Sequence, residues 1–170
     1  MKIFGIAGWS GCGKTTLVTR LIPLLTARGV RVGTLKHSHH DIRLGDSEQA
    51  ALLAAGAVQS LAAGPERFAL VTEHHGHPEP PLAELVERFA GTDLLLVEGF
   101  KFSNHPKLEV WDPGLGKPLL AAGDASILAV ACDQSLDHFS GPVFPRDAVD
   151  AICQWVLDFC SIKMDRGVIE

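Results

Sequence analysis

The stretch Gly8-Trp9-Ser10-Gly11-Cys12-Gly13-Lys14-Thr15 constrains this chain more than any other. It fits G-x-x-x-x-G-K-[ST] without a gap, and its surroundings fit as well. Residues 2–7 are apolar without strict alternation, which predicts a strand covered on both faces. Residues 14–28 carry Leu17, Leu21, Leu24 and Leu25 on one stripe, which predicts a helix that Gly29 ends. Pro23 inside it is expected to kink the helix or remove one backbone bond. A strand, a glycine loop and a helix in that order let successive backbone N–H groups surround a phosphate. The positive end of the helix faces the same point. Lys14 then brings a cation to the β- and γ-phosphates, and Thr15 a hydroxyl to Mg²⁺.

Further elements alternate along the chain. Strands are expected over residues 30–36, 58–63, 68–72, 94–97, 108–111 and 127–132. Helices are expected over 47–55, 82–89 and 147–160, the last with Val149, Ile152, Val156, Phe159 and Cys160 as its core face. Such alternation predicts an α/β chain, a P-loop NTPase three-layer fold with a mostly parallel central sheet and helices on both faces. The chain has 170 residues, which suits one domain, here 1–160. Residues 100–120 have no clear helix and read as a β insertion. Residues 161–170 read as a loosely held tail.

Composition excludes some functions. Hydrophobic residues make up 46% and charged residues 21%, the balance of a soluble domain with a core. The net charge of −5 argues against binding nucleic acid by phosphate neutralisation. The first apolar run is too short for a signal or a membrane span. Cys12, Cys132, Cys153 and Cys160 form no C-x-x-C pair, so reduced thiols in a cytoplasmic protein are expected.

A phosphate loop needs an acidic partner for its metal. Asp93-Leu94-Leu95-Leu96-Val97-Glu98 supplies one, because its apolar run buries a strand and Glu98 emerges where strand ends meet a ligand crevice. Glu98 is expected to bind Mg²⁺ through water or to orient an attacking water. Asp93, at the other end, reads as a cap or turn residue. Asp41, in Lys36-His37-Ser38-His39-His40-Asp41, reads as a metal-shell ligand, a γ-phosphate sensor through water, or a turn cap. His37, His39 and His40, with His74, His75 and His77, raise zinc or nickel binding, although no cysteine lies near and the spacing matches no closed site. Phe100, Lys101, Lys107 and Trp111 form a basic and aromatic neighbourhood suited to an aromatic anion, or to core packing.

Together these stretches resemble the molybdopterin-guanine dinucleotide biosynthesis adapter family, MobB. The resemblance is carried by Gly8 to Leu17, by Leu-Lys-His-Ser-His-His-Asp at 35–41, by Asp46-Ser47 leading to Ala55-Gly56-Ala57, by Arg67 to Glu73, and by Leu96-Val97-Glu98-Gly99-Phe100-Lys101. It runs from residue 3 to about 160. It implies GTP as ligand with Mg²⁺, weak GTPase activity and a homodimer. The implied role is beside the guanylyltransferase MobA, which attaches guanosine monophosphate to molybdopterin. The implied phosphate-binding residues are Gly11, Cys12, Gly13, Lys14, Thr15 and Thr16, and the implied acids are Asp41 and Glu98.

The chain has no Asn-Lys-x-Asp or Thr-Lys-x-Asp motif, so guanine preference rests on the resemblance. Trp9 stands where deviant P-loop ATPases of related fold carry a signature lysine, and no arginine finger is assignable. Hydrolysis is therefore expected to be slow, since a supplied arginine is worth on the order of 10³-fold or more. Two other classes use the same loop. One is a small-molecule kinase, which needs an Arg-rich lid that scattered Arg43, Arg67 and Arg88 do not make. The other is a nickel- or zinc-delivering GTPase using the histidine loops.

Overall fold

The apolar run after Met1 becomes β1 (Lys2–Ala7), and its covering helix α1 (Lys14–Thr26) follows the glycine loop directly. The computed structural model describes residues 1–38, 40–45 and 47–162. Within them lie β2 (Val32–Lys36), α2 (Glu48–Ala54), β3 (Gln59–Ala63), β4 (Phe68–Thr72), α3 (Leu82–Val86) and β5 (Leu94–Glu98). They are followed by β6 (Lys107–Val110), β7 (Ile127–Ala131), β8 (Val143–Phe144) and α4 (Val149–Phe159). The chain divides into two compact units, one made of Met1–His37 and the chain from Val86 onward, the other of Ser38–Leu85.

The first unit holds a six-stranded sheet in the order β2-β5-β1-β6-β7-β8. Every neighbouring pair in it is parallel. Strands covered on both faces need no polar side, which is why Leu94, Leu95, Leu96 and Val97 are all buried in sequence. Phe4, Ile6, Leu94, Leu96 and Leu108 meet Leu17, Leu21 and Leu25 of α1 and Ile152, Cys153 and Val156 of α4 in one core. Each fully buried leucine or isoleucine there contributes about 1.5–3 kcal/mol. Shorter pieces cover the opposite face, among them Trp111, Phe139 and the 3₁₀ helix Leu120–Ala122.

Local chemistry sets the helix ends. α1 runs through Pro23 to Thr26. Val30 N–H then donates to Leu25 O (3.2 Å) and Gly29 N–H to Thr26 O (3.0 Å), a Schellman closure centred on Gly29 at φ 79°. On α4, Val149, Ile152, Val156 and Cys160 are buried as expected, whereas Phe159 is 43% exposed. Its ring still packs on Trp155 at 5.5 Å and Phe4 at 5.9 Å.

Residues 107–110, read from the sequence as part of an insertion, form a central strand beside β1. The separate compact unit is instead Ser38–Leu85. There β3 and β4 pair antiparallel, Gln59 opposite Thr72. Ser47 caps α2, its Oγ accepting from Ala50 N–H at 3.2 Å. The expected tail over 161–170 lies outside the described residues from 163 on.

Candidate nucleotide site

Parallel strands put all their carboxyl ends on one edge, and loops leaving that edge build a common crevice. β1 leads there into the glycine loop. A Cβ on Gly8 would sit 2.3 Å from Val110 O and 2.7 Å from Cys12 Sγ, so the loop can fold this tightly only with glycine. Gly13 takes φ 99° at the start of α1, a left-handed conformation that strains other residues. The first α-helical bond runs from Leu17 N–H to Gly13 O at 3.0 Å. The amides of Lys14, Thr15 and Thr16 come ahead of that bond and have no partner within the helix. Lys14 Nζ folds over the loop and donates to Trp9 O at 2.8 Å. Cys12 is 3% exposed and its thiol is pushed up by burial, which suits a backbone contribution rather than a nucleophile.

Glu98 is the last residue of β5, next to β1. Thr15 Oγ1 lies 2.9 Å from both Glu98 carboxylate oxygens. Two residues far apart in sequence thus present hard oxygen donors at one point beside the loop, the donor chemistry Mg²⁺ requires. Lys36, at the end of β2 on the other side of β5, completes the cluster. Its Nζ is 3.3 Å from Thr15 Oγ1 and 3.5 Å from Glu98 Oε1. Sequence reading did not single out Lys36 as a site residue. The signal was its position at the carboxyl end of a strand, visible only once β2 is known to neighbour β5. The backbone turns sharply after Glu98, with Gly99 at φ 94° and Phe100 at φ 45°. A Cβ on Gly99 would meet that of His37 at 2.9 Å.

Asp93 sits at the opposite end of β5. There the Arg31 side chain and backbone amide bind its carboxylate and hold its pKa at about 2. Asp41 belongs to the second unit, where its Oδ1 accepts from Ile42 N–H at 2.9 Å. Among the described residues no group of three or more His, Cys, Asp or Glu side chains is placed to hold a metal ion, and His39 lies outside those residues.

The basic and aromatic neighbourhood resolves into two different environments. Lys107 is buried and pairs with Asp124 at 3.0 Å, also donating to Ser103 O and Ser126 Oγ, so it is not available to a ligand. Beside it in β6, Glu109 is buried and accepts from Leu120 and Ala121 N–H at 3.0 and 2.8 Å, capping the 3₁₀ helix. Burial raises its pKa. Lys101 instead reaches the loop: its Nζ lies 4.2 Å from the Trp9 ring centroid, with Lys117 at 5.8 Å. Trp9 is held by its Nε1–H donating to Pro118 O at 2.8 Å.

On the far side of the loop, a cleft of about 410 Å³ runs from Cys12, Gly13 and Thr16 to Asp133, Arg146 and Asp147. Arg146 bridges the loops after β6 and β7. Its Nε donates to Asp133 Oδ2 at 2.7 Å and another guanidinium nitrogen to Asp112 Oδ2 at 2.9 Å. No motif marked these residues, because they come from three separate loops.

The model of the family described as MobB, molybdopterin guanine dinucleotide synthesis protein B, matches residues 3–133. The chain belongs to the MobB family. It is 40% identical over 142 residues to the molybdopterin-guanine dinucleotide biosynthesis adapter protein of Escherichia coli, covering 81% of each chain. It is 41% identical to the protein of that name from Haemophilus influenzae, covering 81% of this chain and 78% of that one. It also resembles the crystal structure of a MobB protein homologue from Bacillus stearothermophilus, with TM-score 0.73 and 26% identity over 96% of this chain and all of that one. This likeness and the parallel sheet fit the expected α/β P-loop NTPase fold. The matched span includes the glycine loop, Lys36, Asp41 and Glu98. No helix among the described residues is long and apolar enough to cross a membrane.

Proposed function

We propose that this chain is a GTP-binding adapter in molybdopterin-guanine dinucleotide biosynthesis. The adapter role rests on membership of the MobB family and on the names its relatives carry. Nucleotide binding rests on one observation: Thr15 and Glu98 converge at 2.9 Å beside a glycine loop that opens directly into α1. In this reading Gly11, Cys12, Gly13, Lys14, Thr15 and Thr16 hold the phosphates. Thr15 and Glu98 would hold Mg²⁺. The bound cation would neutralise phosphate charge, and Glu98 would orient the attacking water. Lys14 supplies the cation that moves with the γ-phosphate. Because Trp9 replaces a cation in the loop, hydrolysis is slow.

The protein acts in the cytoplasm as a homodimer, beside the guanylyltransferase that carries out nucleotide transfer to molybdopterin. Exposed apolar residues of the second unit support self-association: Phe68 is 71%, Val58 64% and Leu61 57% exposed. Calorimetric titration with GTP, GDP and ATP in Mg²⁺ tests the reading. GTP should bind in the micromolar range with preference over ATP, and the protein should co-purify with the guanylyltransferase. Absence of nucleotide binding would remove the first half of the proposal, and failure to associate the second.

A further inference from the structure

A nucleotide held on the glycine loop must place its base somewhere, and the sequence has no single motif to read it. The cleft beside the loop shares Cys12, Gly13 and Thr16 with the phosphate cradle, so a group tethered to bound phosphates reaches it. Its volume of about 410 Å³ falls in the range of small-molecule sites. Leu17, Val110 and Ala131 give it buried apolar residues against which a flat ring can stack. The remaining lining residues carry both signs of charge: Arg20, Arg146, Asp133 and Asp147.

That mixture matches one purine better than the other. Guanine presents N1–H and N2–H₂ donors side by side, with O6 and N7 as acceptors. A carboxylate accepts from the first pair and a guanidinium donates to the second. Adenine has an unprotonated N1, whose lone pair faces a carboxylate unfavourably, and no O6. Asp133 is already oriented, since its two oxygens accept from Arg146 N–H and Nε–H at 2.9 and 2.7 Å. The Asp147 carboxylate accepts no hydrogen bond among the described residues. Arg20 is tied only loosely, donating to Asp147 O at 3.4 Å.

We propose that this cleft is the base subsite and that Asp133 and Asp147 select guanine over adenine. The inference rests on the reading that the glycine loop holds a nucleoside triphosphate. The test is calorimetric titration of the whole chain, with Mg²⁺, by GTP, ITP and ATP. ITP lacks only the 2-amino group. GTP should bind more tightly than ITP and ITP more tightly than ATP, each step roughly 10-fold as an unpaired polar group dictates. Asp147→Asn and the double variant Asp133→Asn/Asp147→Asn should weaken GTP while leaving ATP unchanged, closing the gap.

Equal affinity for GTP and ATP in the unaltered protein overturns the inference. A GTP-to-ATP ratio that survives both variants overturns it as well. Where Asp133→Asn unfolds the chain by releasing Arg146, the ITP comparison and Asp147→Asn decide. Failure of the triphosphate reading is distinct: no nucleotide then binds. Failure of this inference leaves GTP and ATP bound alike, both dependent on Lys14.

Discussion

The two units of this chain use apolar residues in opposite ways. In Met1–His37 and the chain from Val86 onward, Phe4, Leu21, Leu94 and Leu96 are 0–1% exposed and meet α1 and α4. In Ser38–Leu85, Ile42, Leu52, Val58, Leu61, Phe68 and Leu70 are 45–74% exposed. A parallel sheet covered by helices completes its own core, whereas a two-stranded ribbon has too little material to bury its side chains. The first unit therefore has a packed core behind its candidate site, whereas the second leaves its larger apolar side chains exposed.

Stability should separate the units most strongly. Phe4→Ala removes a fully buried ring and should cost about 3–5 kcal/mol, read from denaturant unfolding. Phe68→Ala in dilute protein should change stability by less than about 0.5 kcal/mol. Phe68→Glu should shift sedimentation toward the monomer and leave GTP affinity unchanged. Comparable losses from Phe4→Ala and Phe68→Ala would erase the contrast.

Function should separate them next. Lys14→Ala should weaken GTP on the order of 100-fold, about 2.7 kcal/mol, without moving the melting temperature, because the amine contacts only the loop. Glu98→Gln should lower hydrolysis roughly 10-fold or more while binding changes less. Equal loss of both would make Glu98 a binding residue only. Sedimentation of both variants should match that of the unaltered protein.

The smallest effect concerns pH. His105 packs against Gly5, and its two ring nitrogens are buried without a hydrogen bond among the described residues. Burial, aided by the Lys107 charge, lowers its pKa from 6.5 to about 4. The unfolded chain then binds the proton more readily than the folded one in that interval. Stability should rise with pH between about 4 and 6.5 and level off above it. Thermal midpoints across that range should show a shallower slope in His105→Gln than in the unaltered protein. An unchanged slope would assign the dependence to other groups.

Much of the site was legible because it is local. Gly8 to Thr15 needs only backbone conformations and the start of a helix, and Glu98 announces itself at the end of four buried apolar residues. Element ends also followed local chemistry, as at Gly29 and Ser47. β8 was missed because Val143–Phe144 is too short to show a period. For Lys107 the sequence left a ligand site and core packing both open, because a charged residue in a strand gives no sign of burial until Asp124 is found beside it. Phe159 fits the helical stripe of α4, yet it lies at the margin of the packed face.

The sequence by itself determined the glycine loop between β1 and α1, the acid at the end of β5 and the alternation that makes a parallel sheet, since each follows from residues adjacent along the chain. Only the tertiary structure decided that Lys36 joins Thr15 and Glu98, that Arg146 ties Asp112 to Asp133, and that Ser38–Leu85 forms a separate compact unit. Those outcomes depend on strand order and on which loops share the carboxyl edge of the sheet. Strand order is set by non-local burial, which no window of neighbouring residues contains.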